Sequence, residues 1–461
     1  MLAPTFASPR AADYGRAGGP WDQPSLDVLL TRVAAPALAA RVARTAGGLR
    51  ALGVGPGDAV AWQSVNRDEV GVLYRACWRL GAIAAPVHHL MGPHEVANVL
   101  EAVAPAVVVD DLDALPAGDP IETPWVDADR LAAVLFTSGS SGTPKGVLHT
   151  QATLAFKATQ MRHEHDLGPD DCVLMPAPSA HISGLLNGVT LPGVVPFRTV
   201  FMARWDPETA LALIEREHVT FMVGPPTFFV SMIQSPGFGA ERVASLRLIS
   251  SGGAGVGEAF VAEAAAAFGA RVKRAYGSTE APTIIADGRT IGEVEVRIDD
   301  DGELLVRGPE VCVGYLDPAE TAEAFTADGW FRTGDLAATG ATGAIEIVGR
   351  LKDVIIRGGE NISTAEVEQV LEAHPDVRHA VAVGEADAVM GERVVAFVES
   401  APGFDLAACR EWFAQRGVAR FKTPERVVVV DALPLLPTGK PDRAALRARV
   451  TPSYRCRRPS S

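Results

Sequence analysis

Short apolar runs alternate with amphipathic stretches along the first 280 residues. Residues 59–62, 83–87, 106–109 and 131–136 are uninterrupted apolar runs of strand length, the pattern of strands buried on both faces. Between them, residues 34–52, 69–80 and 94–102 carry apolar positions at helical spacing, and Gly53 and Gly81 close the first two. The alternation resumes with strands at 173–175, 220–223, 247–250 and 272–275 and helices at 207–217, 225–234 and 258–268. Strand–helix alternation of this kind predicts parallel, helix-covered sheets, here as two α/β halves. Residues 1–24 lack the pattern and read as a loose arm. Residues 110–130, with their Asp and Pro, read as a connection. From Gly292 the texture changes. Residues 294–298, 302–306 and 344–348 are β segments separated by turn residues, which suggests a small antiparallel or barrel-like subdomain. Helices at 364–373 and 407–416 and strands at 377–383, 393–399 and 427–430 then describe an α+β domain ending in a loop at 434–442. The expected fold is α/β: a large N-terminal domain of two α/β halves with a small β subdomain, followed by an α+β C-terminal domain.

The stretch between the fourth strand and the next helix-like segment changes the picture most. Residues 137–146 read Thr-Ser-Gly-Ser-Ser-Gly-Thr-Pro-Lys-Gly. A strand that runs into a loop of small residues presents backbone N–H groups to a phosphate. Gly139 and Gly142 permit close approach of the backbone. The hydroxyls of Thr137, Ser138, Ser140, Ser141 and Thr143 add donors, and Lys145 adds a compact positive charge. The loop is not a Walker A motif, because no Gly-Lys-Ser/Thr follows Gly142 at the required place. A flexible Gly/Ser linker is the bland alternative. The preceding buried strand and the stiff Thr-Pro-Lys-Gly end argue against it.

Composition sets limits. A chain of 461 residues with 48% apolar and 21% charged residues suits two or three soluble globular domains. The net charge of -14 argues against nucleic acid or an anionic membrane as principal partner. Five scattered cysteines form no CxxC pair or Cys/His cluster of the zinc type. They fit a reducing, cytoplasmic setting. The first 19 residues hold no apolar leader segment, and no run of 18 apolar residues occurs. Lysine supplies only six of the 42 basic residues, at 145, 157, 273, 352, 422 and 440. Arginine fills the remaining positions, so each retained lysine invites a specific explanation.

The loop at 137–146 resembles the phosphate loop of the adenylate-forming superfamily, which includes acyl-CoA synthetases, luciferases and peptide-synthetase adenylation domains. Further motifs follow in that superfamily's order and extend the resemblance over roughly residues 30–445. Tyr276-Gly277-Ser278-Thr279-Glu280, an ordinary turn if met alone, resembles its second core motif. The resemblance implies that Tyr276 lies against adenine, Thr279 holds the α-phosphate and Glu280 binds Mg²⁺. Ser251-Gly252-Gly253-Ala254-Gly255 fails the dinucleotide spacing, since Glu258 stands where a third glycine belongs. It matches instead a stretch lining the adenine and acyl pocket. Trp330-Phe331-Arg332-Thr333-Gly334-Asp335 implies that Asp335 accepts from the ribose hydroxyls. Gly349-Arg350-Leu351-Lys352-Asp353 implies a ribose contact at Arg350 and a hinge at Lys352. Gly358, Gly359 and Glu360 match a loop beside the pantetheine arm of CoA, where glycines leave room for a thin thiol. Lys440, in Pro437-Thr438-Gly439-Lys440, matches the lysine that neutralises charge between carboxylate and α-phosphate. His181 matches a catalytic position flanking the carboxylate pocket; with Ser183 and Gly184 it also matches one wall of the acyl pocket, and Val223, Pro226 and Thr227 match another.

The implied co-substrates are ATP with Mg²⁺, CoA and a small carboxylic acid, and the implied activity is AMP-forming acid–thiol ligation. The implied domain limits are 1–348, a hinge at 349–353 and a mobile domain at 354–461. Amino-acid activators of the superfamily place an acid near 179–184 to pair an ammonium. None stands there, so an apolar fatty, alicyclic or aromatic acid is expected. Two alternatives remain: an adenylating enzyme that loads a carrier protein, and a catalytically silent nucleotide-binding protein. A homodimer stays open. One departure stands out, because only eleven residues separate Glu280 from Gly292. This shortening brings the shape of the acyl pocket and the packing of the subdomain into question.

Overall fold

The computed structural model describes residues 2–450 except 138–143, 254–255, 341, 358–359, 388–389, 419 and 437–439. The chain divides into two compact units, residues 1–297 with 305–333, and residues 298–304 with 334–461.

The first unit holds the two α/β halves. The five-stranded sheet runs Val107–Val109, Ala59–Ser64, Ile83–His88, Leu131–Thr137, Lys145–Thr150 from edge to edge. Its first four strands are parallel and the last is antiparallel. The seven-stranded sheet has five parallel strands at its centre and far edge, ordered Arg271–Tyr276, Leu248–Gly252, Phe221–Gly224, Cys172–Met175, Arg198–Phe201. A short antiparallel hairpin, Ile285–Ala286 and Arg289–Thr290, completes the other edge. Leu131–Phe136 is buried throughout, as a strand covered on both faces must be. Val60, Leu73, Trp78, Ala84 and Leu135 belong to one core, and Leu174, Leu211, Met222 and Ile249 to another.

The second unit contains a five-stranded sheet. Glu360–Ser363, Val354–Arg357, Gly391–Ser400 and Val377–Asp387 pair in that order, and Arg426–Val429 joins Gly391–Ser400 in parallel. Helices Thr364–Glu372 and Leu406–Gln415 contribute Val367, Leu371, Cys409 and Phe413 to its core. Among the described residues, no helix is long and apolar enough to cross a membrane.

Several expectations change. Residues 1–24 are not a loose arm. Thr5 and Phe6 donate their N–H groups to Val313 O, and Phe6 stacks on Phe325 with ring centroids 3.9 Å apart. A short helix, Ala11–Gly15, buries Tyr14. Lys145–Thr150 is a strand that had not been anticipated, and it leads directly into the helix Gln151–Glu164. The phosphate loop therefore joins two antiparallel strands, with Thr137 opposite Lys145. Glu360, expected in a loop, begins the strand Glu360–Ser363, which pairs with Val354–Arg357. Trp330-Phe331-Arg332-Thr333-Gly334-Asp335 runs into the strand Phe331–Thr339, and Arg443–Val450 is a helix.

The short segment after Glu280 is well packed rather than weakened. Ala281, Ile284, Ile285 and Ile291 are all buried. Lys157, buried in helix Gln151–Glu164, donates to Thr283 O at 2.8 Å and pairs with buried Glu310 at 3.4 Å. Gln160, one helical turn on, donates to Ile291 O at 3.0 Å. One helix thus clamps both ends of the segment. A buried ion pair contributes little net stability, but removing one partner strands a charge. Lys157→Met should therefore destabilise the fold by about 3–5 kcal/mol, whereas Lys157→Met with Glu310→Leu should recover most of that loss. Chemical denaturation of the two variants against wild type measures both.

Candidate active site

The parallel strands of the seven-stranded sheet bring four predicted motifs to one rim. Loops that follow neighbouring parallel strands emerge on the same side, and ligands of open α/β sheets bind at these carboxyl ends. Arg271–Tyr276 ends in the Tyr276–Glu280 motif, and Leu248–Gly252 ends in Gly252 and Gly253. Phe221–Gly224 carries Val223 and leads to helix Pro226–Ile233, whose first turn holds Pro226 and Thr227. Cys172–Met175 leads to His181 and the short helix Ile182–Leu185 with Ser183 and Gly184. Close approach explains two glycines here. A Cβ at Gly252 would lie 2.3 Å from Ala275 O, and one at Gly184 would lie 2.1 Å from Pro178 O.

Asn66 fixes the loop that carries His181. Its amide donates to Met175 O, Ala177 O and Met202 O and accepts from Ser179 N–H. The carboxyl end of Ile83–His88 meets the same loop, with the His88 ring 4.8 Å from that of His181 and 4.7 Å from that of His89. Burial, helped by the neighbouring imidazoles of His181 and His89, lowers the His88 pKa to about 4. His88 is therefore neutral at pH 7, and so is its contribution to this wall. Sequence reading missed it. The only signal was a pair of histidines at the end of an apolar strand.

The hairpin that carries the phosphate loop is tied to Thr279 and Glu280. His149, fully buried on strand Lys145–Thr150, lies with Nε2 2.8 Å from Thr279 O. A carbonyl only accepts, so Nε2 carries the proton and Nδ1 is the bare nitrogen, 3.3 Å from the Thr153 hydroxyl. Cys312 N–H donates to Glu280 O at 2.8 Å. The Tyr315 hydroxyl donates to Glu280 Oε1 at 2.7 Å. Lys145 pairs with Glu320 at 3.2 Å, and its ammonium lies 5.4 Å from the centre of the Tyr315 ring. His149, Tyr315 and Glu320 were not anticipated. His149 carried no readable signal, because it lies in a segment that also holds Lys145, Gly146 and Thr150. Ser138, Gly139, Ser140, Ser141, Gly142, Thr143 and Ala254 lie outside the described residues.

The donor set at Glu280 suits magnesium. Among the described residues, no group of three or more His, Cys, Asp or Glu side chains could hold a metal by itself. Magnesium does not require one, because it keeps waters and substrate phosphate oxygens and takes one or two protein carboxylates. Glu280 and the Thr279 hydroxyl offer the hard oxygen chemistry that such an ion needs.

The second unit gathers three predicted residues. Asp335 and Arg350 face each other across the antiparallel pair Phe331–Thr339 and Ile345–Arg350 and form an ion pair at 2.9 Å. Lys440 is exposed by surface area. Even so, protein atoms around its ammonium and the Arg350 guanidinium push its pKa below the ordinary lysine value, while Asp335 pulls it upward. Lys352 lies in the helical turn Leu351–Asp353, and Glu360 begins the strand Glu360–Ser363. Gly358 and Gly359 lie outside the described residues.

Comparison with known proteins decides the family. The profile described as AMP-binding enzyme matches residues 30–122 and 110–316, and that of its C-terminal domain matches residues 366–440. The chain belongs to the AMP-binding enzyme family. The resemblance to the adenylate-forming superfamily is thereby borne out. A medium-chain fatty-acid–CoA ligase of Escherichia coli strain K12 is 31% identical over 86% of this chain and 82% of its own length. A feruloyl-CoA synthase of an Amycolatopsis species is 33% identical over 89% of this chain and 93% of its own. The crystal structure of ATP-bound MatB from Rhodopseudomonas palustris matches with a TM-score of 0.83 at 30% identity, over 89% of this chain and 92% of that one. The expected α/β architecture is that of this neighbour.

Neutral His149 also makes stability depend on pH. Burial lowers its pKa from 6.5 to about 4, against the raising effect of the Thr279 carbonyl. The folded value lies below the unfolded one, so the neutral ring favours folding fully above pH 6.5. That contribution, on the order of 3 kcal/mol, is lost as pH falls through 4. The melting temperature of wild type should drop more steeply between pH 7 and 4.5 than that of His149→Gln. Differential scanning calorimetry across that range checks it.

Proposed function

We propose that the protein is an AMP-forming acid–thiol ligase that activates an apolar carboxylic acid with ATP and passes the acyl group to CoA. The observation that carries this reading is the rim itself. Four strand ends gather Tyr276–Glu280, Gly252–Gly253, Val223–Thr227 and His181–Gly184, and His149 ties the Thr279 end of that rim to the phosphate-loop hairpin. The nucleotide part lies beside the acyl part, as transfer between them requires.

In the first step a carboxylate oxygen attacks the α-phosphorus. The bond to the bridging oxygen breaks, and pyrophosphate leaves with its electron pair. Two anions must approach, so the barrier is largely electrostatic. Thr137, the loop hydroxyls and Lys145 hold the phosphates. Thr279 donates to the α-phosphate, and Tyr276 and Gly252–Gly253 flank the adenine. Glu280 would hold Mg²⁺, which would supply positive charge to the site when bound. Asp335, kept in place by Arg350, accepts from ribose hydroxyls. Lys440 neutralises charge between carboxylate and α-phosphate. In the second step the thiol sulfur of CoA attacks the acyl carbon, the thiol proton is lost, and AMP leaves with the former carboxylate oxygen. Gly358, Gly359 and Glu360 border the pantetheine arm. The C-terminal domain, residues 354–461, turns about 349–353 with Lys352 at the hinge, and the two steps use different parts of it. The setting is a reducing cytoplasm, in keeping with the cysteines among the described residues, Cys77, Cys172, Cys312 and Cys409, all buried and free.

The wall supports the proposed substrate class. Val223, Pro226, Thr227, Ser183, Gly184 and a neutral His88 offer an uncharged surface, suited to a fatty chain or an alicyclic or aromatic ring. Two relatives are named for acids in that range, a medium-chain fatty acid and ferulate, whereas another, 32% identical, is named for sulfoacetate.

Incubation with ATP, Mg²⁺, CoA and a pool of fatty, alicyclic and aromatic acids should give an acyl-CoA by product mass spectrometry. Acyl-adenylate without acyl-CoA would point to a carrier-protein acceptor instead. Lys440→Ala should slow adenylate formation at least a hundredfold, about 2.7 kcal/mol of transition-state stabilisation, and spare thioester formation from supplied acyl-adenylate. Equal loss of both half-reactions would exclude the role given to Lys440.

A further inference from the structure

Glu280 touches a side chain that lies outside every motif read from the sequence. We infer that Tyr315 is the positioning residue for the Glu280 carboxylate, fixing one oxygen so that the other is presented to the metal ion. The inference rests on the reading of Glu280 as a metal ligand.

The geometry is restrictive at both ends of Tyr315. Its side chain is buried, and a buried phenol requires a partner for its hydroxyl. That partner is Glu280 Oε1, at 2.7 Å. The backbone of Tyr315 is held on both sides: its N–H donates to the Thr321 hydroxyl at 2.9 Å, and its carbonyl accepts from the Thr5 hydroxyl at 2.7 Å. It bridges Val147 on the phosphate-loop hairpin in antiparallel fashion, and the neighbouring Val313 and Gly314 exchange hydrogen bonds with Leu148. The Glu280 backbone is fixed by the same segment through Cys312 N–H. Both residues are therefore anchored by main chain, and the hydroxyl sets the remaining freedom of the carboxylate.

The chemistry fits this role. Carboxylates that ligate metals are themselves hydrogen-bonded, and loss of such a partner costs about 10–100-fold in metal affinity or activity. Magnesium tolerates little deviation in ligand geometry, so a swinging carboxylate would serve it poorly. The ring of Tyr315 faces the Lys145 ammonium while its hydroxyl faces Glu280. One side chain thereby orients the anionic ligand and contacts the cation at the end of the phosphate loop. Tyr315→Phe keeps the ring and removes only the hydroxyl, so it isolates the first of these functions.

The test uses the full chain with α,β-methylene-ATP and Mn²⁺, with free Mn²⁺ read by electron paramagnetic resonance. Tyr315→Phe should raise the apparent Mn²⁺ dissociation constant about tenfold, with the melting temperature and the metal-free affinity for the analogue unchanged. The Mg²⁺ concentration for half-maximal turnover should rise in parallel, with kcat largely restored at saturating Mg²⁺. Adding Tyr315→Phe to Glu280→Gln should weaken Mn²⁺ binding no further. Wild-type Mn²⁺ affinity in Tyr315→Phe, or additive losses in the double variant, would overturn the inference. So would a fall in stability and metal-free nucleotide affinity that accounts for the whole effect. Normal Mn²⁺ affinity in Glu280→Gln would instead overturn the metal-ligand reading, and the inference with it.

Discussion

Parallel pairing forces the loops after neighbouring strands onto one rim, and the seven-stranded sheet uses that constraint four times. Residues far apart in the chain, from His181 to Glu280, become neighbours because their strands share a direction and lie side by side. The constraint gives proximity but not orientation. Orientation comes from polar contacts that cross between elements: Asn66 on the His181 loop, His149 on Thr279, and Cys312 and Tyr315 on Glu280.

The phosphate-loop hairpin shows how the two levels combine. Its strands, Leu131–Thr137 and Lys145–Thr150, are antiparallel and joined by a hydrogen-bond ladder. A hairpin of this kind fixes Thr137 and Lys145 opposite each other, and its outer strand is free to make contacts on its far side. His149 and Val147 make them, to Thr279 and Tyr315. The electrostatics follow from the same geometry. Lys145 is balanced by Glu320, and Glu280 accepts from a neutral phenol rather than a cation.

Most of the fold was legible because the parallel strands are continuous apolar runs, and apolar periodicity is a local signal. Helices such as Pro207–Glu217 and Glu258–Phe268 end where their pattern ends. Failures share a physical cause. Lys145–Thr150 mixes Lys, Gly, His and Thr, so nothing local marks it as a strand, and only pairing with Leu131–Thr137 makes it one. Phe6 sits in a Pro-rich arm and packs on Phe325 and Val313, three hundred residues away. The motif residues were legible as a family resemblance. Their supports, His149, Tyr315 and Glu320, were not, because a supporting role is a property of contact rather than of spacing. The sparse lysines divide the same way. Lys145, Lys352 and Lys440 lie in motifs, whereas Lys157, Lys273 and Lys422 pair with Glu310, Glu164 and Glu366.

The burial of Lys157 and His149 beside the site needs its own explanation, since neither an internal ion pair nor a neutral buried imidazole is the most stabilising way to fill a core. Apolar packing is tolerant of small shifts, because dispersion contacts have little directional preference. Hydrogen bonds to a carbonyl are not so tolerant. The turn from Thr279 to Ile291 is short and has two non-glycine residues, Thr283 and Asp287, in the left-handed region. Left to apolar contacts alone, such a turn would have several arrangements of similar energy. Here its carbonyls are claimed in order: Thr279 by His149, Glu280 by Cys312, Thr283 by Lys157 and Ile291 by Gln160. Each claim selects one position of the backbone. The unfavourable desolvation of two ionisable side chains is thus matched to a local requirement for a single conformation at the residues that follow Tyr276.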